Sequence, residues 1–123
     1  MTNTETAYIS ALIDSIGAIK IEPSKKGEEC SLYVWITRKN FKVMEFLQRA
    51  GAYIIHLPDG QFRAKWKDKR AYYLLKSIIP FSIEKKEQLK VGIEFFEAKT
   101  SEQKDPNFAI PYILRLKMLK VEN

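Results

Sequence analysis

Residues 9–17, Ile-Ser-Ala-Leu-Ile-Asp-Ser-Ile-Gly, decide which fold this chain can adopt. On a helix running from about Thr6 to Ile16, Tyr8, Ile9, Leu12, Ile13 and Ile16 form a broad apolar stripe, while Ala7, Ser10, Ala11 and Ser15 cluster on roughly the opposite side. Such a helix has two faces to bury. Asp14 is the only charged residue between Thr6 and Gly17, which excludes a surface helix: the stripe suits a sheet, and the small face suits close approach of another helix. One copy implies a second, and no internal repeat is long enough to supply it from the same chain.

Beyond Gly17 the period changes. Ala18 to Glu22 place Ile19 and Ile21 on one side, the pattern of a strand, and Leu32, Val34 and Ile36 alternate with Tyr33, Trp35 and Thr37 in a second. The intervening stretch from Pro23 to Glu29, with Lys25, Lys26 and Gly27, reads as a hairpin tip. Asn40 is placed to cap a helix carrying Val43, Met44, Leu47 and Ala50, and Gly51 stands where a helix ends. Ala52 to Leu57 and Gln61 to Trp66 flank Pro58-Asp59-Gly60 as a hairpin. Asp68 is a candidate cap for a helix bearing Ala71, Leu74, Leu75 and Ile78, which Pro80 ends. Ser82 is the expected cap of the next helix, whose inner face is Leu89, Gly92, Ile93 and Phe96. Thr100 to Asn107 reads as a linker. A last helix from near Pro111 carries Ile113, Leu114, Met118 and Val121, with Arg115, Lys117 and Lys120 opposite.

With 123 residues, 46% of them hydrophobic, the chain suits a single domain. Its 21 Lys and Arg against 15 Asp and Glu give a net charge of +6 and point to a polyanionic partner such as nucleic acid. A lone cysteine, Cys30, excludes an internal disulfide, and no run approaches the roughly 20 apolar residues of a membrane span, so no membrane partner is expected. The first residues, Met-Thr-Asn-Thr-Glu-Thr, lack the basic start and apolar core of a secretion signal. An intracellular, cytoplasmic location is the expectation.

Residues 9–17 also resemble the LAGLIDADG motif of homing endonucleases and maturases: Ile9 to Gly17 lie over the nine motif positions, and Leu12, Ile13, Asp14 and Gly17 match by identity. The order of elements matches the αββαββα core of that family along about residues 5–98, with a C-terminal extension over about 99–123. The resemblance implies an α+β domain, a four-stranded antiparallel sheet covered by helices on one face, with a further C-terminal helix. It also implies the single-motif, homodimeric type, in which two motif helices pair and the joined sheets straddle duplex DNA. Ala7, Ser10, Ala11, Asp14 and Ser15 would form that contact, Asp14 helping to fix the helix ends. The alternative for the small residues is packing within the chain.

Alternation sends Lys20, Glu22, Tyr33, Trp35, Thr37, Gln61, Arg63 and Lys65 to the open face of the sheet. Strand ribbons fit the roughly 12 Å major groove, where Arg and Gln side chains contact base edges, and Lys25 and Lys26 at the hairpin tip suit phosphates. The plainer reading of these residues is an ordinary solvated surface. Trp35 argues against it, because an indole facing water marks an interaction surface or a register slipped by one residue.

The departure from the motif is chemical. In the family, the acid just before the final glycine binds the catalytic divalent metal, which polarises phosphate and lowers the pKa of the attacking water. Here that position is Ile16. Asp14 lies about 200° around the helix and cannot replace it without unwinding, and Glu22 is the one acid nearby on the outward face. Lys85 resembles the basic residue near the scissile phosphates, Gln88 a frequent glutamine of the same helix, and Arg38 falls where the family often has a polar active-site residue. His56 and Cys30 stand alone, with no zinc spacing and no glycine-rich phosphate loop. The expectation is therefore a sequence-preferring duplex DNA-binding homodimer without catalytic residues, metal or cofactor, acting as a regulator or architectural factor. Competing readings are an endonuclease using a displaced carboxylate with Mg²⁺, an RNA-binding maturase-like protein, and a protein-interaction module whose basic charge is incidental.

Overall fold

Helix α1 (Asn3–Ile16) starts earlier than the expected Thr6 because a capping box holds its first turn: Glu5 N–H donates to the Thr2 hydroxyl at 3.1 Å and Thr2 N–H donates to Glu5 Oε1 at 2.9 Å. This is the computed structural model of the chain, and it describes residues 1–23, 29–99 and 106–122. From α1 the backbone enters strand β1 (Gly17–Pro23) with no intervening loop. Gly17 has an ordinary φ of −79°, and what demands glycine is space: a Cβ there would stand 2.6 Å from Ile13 Cα.

Strand β2 (Cys30–Arg38), helix α2 (Phe41–Arg49), strands β3 (Tyr53–His56) and β4 (Phe62–Lys67), and helices α3 (Lys69–Ile78), α4 (Lys86–Lys99) and α5 (Ile110–Glu122) follow. Short 3₁₀ turns at Ile79–Phe81 and Pro106–Ala109 precede α4 and α5. The sheet is antiparallel in the order β1-β2-β4-β3, so the hairpin formed by β3 and β4 joins through β4 and leaves β3 at the edge. The expected signals operate at α2, where Asn40 Oδ1 accepts Val43 N–H at 3.1 Å, and in the β3–β4 turn, where Gly60 takes a φ of +88°.

The predicted inward set is the core. Ile19, Ile21, Leu32, Val34, Ile36, Ala64 and Trp66 are buried, with Phe62 half-buried, beneath Ile9, Leu12 and Ile13 of α1, Met44 and Leu47 of α2, Leu74, Leu75 and Ile78 of α3 and Leu89, Val91 and Phe95 of α4. Each large side chain taken from water in this way contributes about 1.5–3 kcal/mol. The helices cover one face and leave the other open.

Several local expectations are corrected. Asp68 does precede α3 but does not cap it: its φ of 49° turns the carboxylate away, and Oδ1 accepts Leu32 N–H at 3.0 Å on β2. Ser82 does not cap α4, which begins only at Lys86, because the Ser82 hydroxyl donates to Asp14 at 2.7 Å. The inner face of α4 includes Gln88, Val91 and Phe95, while Ile93 and Phe96 are only half-buried. Helix α5 packs on α4 and β1 through Leu116, with Tyr112, Ile113 and Leu119 half-buried; Leu114, Met118 and Val121 face outward at 53%, 65% and 86% exposure. Tyr8 and Ile16 lie at the edge of the α1 stripe and stay partly exposed. Of the expected linker, Asn107 belongs to the second 3₁₀ turn and residues 100–105 lie outside the described residues, as do Lys25 and Lys26 at the hairpin tip.

Candidate nucleic-acid interface

The strand register lays the open face out in three rows. Lys20, Tyr33 and Lys67 stand abreast on β1, β2 and β4; Ala18, Trp35, Lys65 and Tyr53 form the next row across all four strands; Thr37, Arg63 and Ile55 form the third. Residues directly opposite one another share a face, so the predicted outward set of Lys20, Tyr33, Trp35, Thr37, Arg63 and Lys65 is brought together as expected. Glu22 continues the β1 column and is exposed, Arg38 is exposed at the end of β2, and Gln61 is half-buried just before β4.

Trp35 is not left bare to water. The Arg63 guanidinium lies 4.7 Å from the centre of its ring and also donates from Nε to Thr37 Oγ1 at 3.1 Å. Lys65 Nζ sits between Tyr33, at 4.3 Å, and Trp35, at 5.3 Å, and Lys67 Nζ lies 5.9 Å from Tyr33. The register is therefore not slipped: the outward aromatics form a platform on which three cations are stacked, each contact worth about 0.5–1 kcal/mol at an exposed site. Sequence reasoning missed Lys67 and Tyr53. Lys67 extends the β4 alternation by one step, whereas Tyr53 depends on the strand order.

At one edge of this face lies the end of α1. Both Asp14 oxygens are occupied within the chain: Oδ1 accepts from the Ser82 hydroxyl at 2.7 Å and from Lys85 N–H at 3.2 Å, and Oδ2 accepts from Ile83 N–H at 2.8 Å and Glu84 N–H at 3.2 Å. Burial alone would raise the Asp14 pKa, but these donors outweigh it and hold the carboxyl below its usual value. Lys85 returns the contact, its ammonium donating to the carbonyls of Ile13 at 2.9 Å and Gly17 at 2.8 Å. An acid from the end of α1 thus satisfies the backbone that leads into α4, and a base from that segment caps the end of α1. Burial lowers the Lys85 pKa, against the pull of Asp14 and Glu84.

Ile16, the last residue of α1, is 38% exposed beside this interlock. The side chains here do not suit a divalent cation: Ile16 offers no oxygen, the Asp14 oxygens are occupied, and the cleft beside Gly17 is lined by Lys20, Lys85, Lys120 and Gln88. On the outer surface of α1, Ala11 and Ser15 are exposed and Ala7 and Asp14 half-buried, but Ser10 is withdrawn from the expected small face: it is 1% exposed and its hydroxyl donates to the Ile78 carbonyl at 3.4 Å. Lys120, placed in the sequence opposite the apolar residues of the last helix, reaches β1 and donates to the Ile19 carbonyl at 3.1 Å.

The architecture is the fold of LAGLIDADG homing endonucleases. Over 98% of its length the chain superposes on 82% of the homing endonuclease I-CvuI, solved with its target, at a TM-score of 0.79 and 15% identity. It matches the archaeal intron-encoded homing endonuclease I-Vdi141I, complexed with DNA, at 0.73 and 18% identity over 98% of this chain and 85% of that one. The homing endonuclease I-TnaI gives 0.65 and 13% over 94% and 93%. No family model matches the sequence, and neither does any curated protein. At these identities the likeness is one of fold, and no helix among the described residues is long and apolar enough to cross a membrane.

Proposed function

We propose that this chain is a homodimeric, sequence-preferring DNA-binding protein that grips duplex with its open sheet and does not cut it. The observation that carries the reading is the stacked platform of Arg63, Lys65 and Lys67 over Trp35 and Tyr33 on a sheet face that no helix covers. Cations held over rings lose less freedom when they meet phosphates and base edges, so more of each contact appears as affinity. Lys20, Thr37, Arg38 and Gln61 border the same surface. I-CvuI and I-Vdi141I, which share the fold, were solved bound to DNA.

A dimer through α1 supports the grip by doubling the surface. The chain corresponds to only 43% of I-AabMI, a LAGLIDADG meganuclease solved on uncleaved DNA, so two copies would approach the size of that one chain. Ala7, Ala11 and Ser15 would let two α1 helices approach closely. Loss of cleavage follows from Ile16, which cannot ligate a metal, and from Asp14, whose oxygens are already used. The grip needs no cofactor, and a role as regulator or architectural factor fits a protein that holds a site intact.

Binding to random-sequence duplex should weaken linearly with the logarithm of salt, and Arg63→Ala should reduce affinity by about 1–3 kcal/mol at a preferred site. Nicking of supercoiled plasmid with Mg²⁺ or Mn²⁺, abolished by Glu22→Ala, would replace this reading with an active endonuclease. Preference for structured RNA in competition would make the partner RNA, and binding of neither at low salt would leave a protein-interaction module.

A further inference from the structure

Between the end of α1, the start of β1 and the last turns of α5 lies a cleft of about 320 Å³ lined by Gly17, Ala18, Lys20, Lys85, Gln88 and Lys120. Its charges are unbalanced. Lys120 has the Lys20 ammonium beside it and feels Lys85 as well, with Glu22 of β1 drawing on it. Lys85 spends two of its protons on the Ile13 and Gly17 carbonyls and Lys120 spends one on Ile19, so both ammoniums keep donors to spare. Gln88, 3% exposed, lines the same cleft. The negative end of α1 would repel an anion here, but Lys85 covers those carbonyls.

We propose that this cleft is a phosphate site in which the ammoniums of Lys20, Lys85 and Lys120 and the Gln88 amide donate to one phosphate group. Three ammoniums and an amide NH₂ lining one cleft offer donors to the oxygens of a tetrahedral oxyanion, and α5 is the element that completes the set by bringing Lys120 over β1. The cleft adjoins Lys20 of the open sheet, so the source of the phosphate is the backbone of the bound duplex; that assignment of source rests on the function proposed above. Burial, and then Lys20, bring the Lys120 pKa down to about 8 in the free protein. A phosphate would draw the proton back, and duplex binding should therefore weaken above about pH 8, approaching tenfold per pH unit for one linked proton.

The test compares the full chain with Lys120→Met and Lys120→Arg in duplex binding across salt and pH, and follows the Lys120 Nζ resonance during titration with inorganic phosphate. Lys120→Met should lower the slope of log affinity against log salt by about 0.9, one phosphate contact, and abolish the pH dependence. Lys120→Arg should keep the slope and lose the pH dependence, since arginine stays charged. Full slope and full pH dependence in Lys120→Met, or retained pH dependence in Lys120→Arg should the methionine variant not fold, would overturn the site if inorganic phosphate also leaves the Nζ resonance unmoved. A response to inorganic phosphate with duplex binding unchanged by either variant would keep the phosphate site and assign it a free phosphate. If the unaltered chain binds no duplex, the proposed function fails, and the Nζ titration alone decides the cleft.

Discussion

Asp14 joins two helix ends, and its chemistry sets a pH dependence. Because its carboxyl is held below the ordinary value, the stabilisation is present above about pH 4, the unfolded carboxylate range, and is lost as pH falls through the folded pKa. Asp14→Asn turns an amide NH₂ toward two N–H donors, which costs about 1–3 kcal/mol at neutral pH. Urea unfolding of the two forms should show that difference at pH 7 and a narrowing gap below pH 4. A constant gap across pH would mean that the ionised carboxylate is not what the Ser82–Lys85 segment binds. The motif resemblance assigned Asp14 to fixing helix ends at a dimer contact, and its partners within the chain were not legible in the sequence: Ser82 and Lys85 lie 68 and 71 residues away. Lys85 was matched to a phosphate-contacting base, yet its ammonium reaches the α1 carbonyls first.

At the scale of elements, alternation was enough to place the strands, because period-2 burial on β1, β2 and β4 admits only one assignment of faces. The aromatic platform follows from that register. Helices were less legible where burial is one-sided and partial. On α5 the apolar residues surround the axis, so periodicity could not select between the Leu114, Met118, Val121 side and the Leu116, Leu119 side; contact with α4 and β1 selects the latter. Leu116→Ala should therefore destabilise the chain by about 2–4 kcal/mol in thermal or urea unfolding, and Leu114→Ala by less than about 0.5. Equal effects would contradict the assigned face. Ser82 misled for a related reason: a serine three or four residues ahead of a helical pattern is a cap only if nothing else claims its hydroxyl, and Asp14 does.

For the whole molecule, the proposed function would make the sheet of one chain a half-site surface, and a second copy through α1 would extend it across a duplex. Ala11 is exposed on α1, and Ala11→Arg places a charge where close helix approach is required. Sedimentation should show a monomer for this variant with unfolding unchanged, and DNA binding should fall by orders of magnitude; an unaltered dimer would move the interface elsewhere. Neither strand order nor dimer contact is written in local sequence, since both depend on which surfaces meet after the elements form. The most direct test of the account is selection of bound fragments from random duplexes in the presence of Mg²⁺, sequenced with their ends. A two-fold symmetric consensus recovered intact is expected; an asymmetric or absent consensus, or fragments broken within it, would contradict a dimer that grips duplex without cutting it.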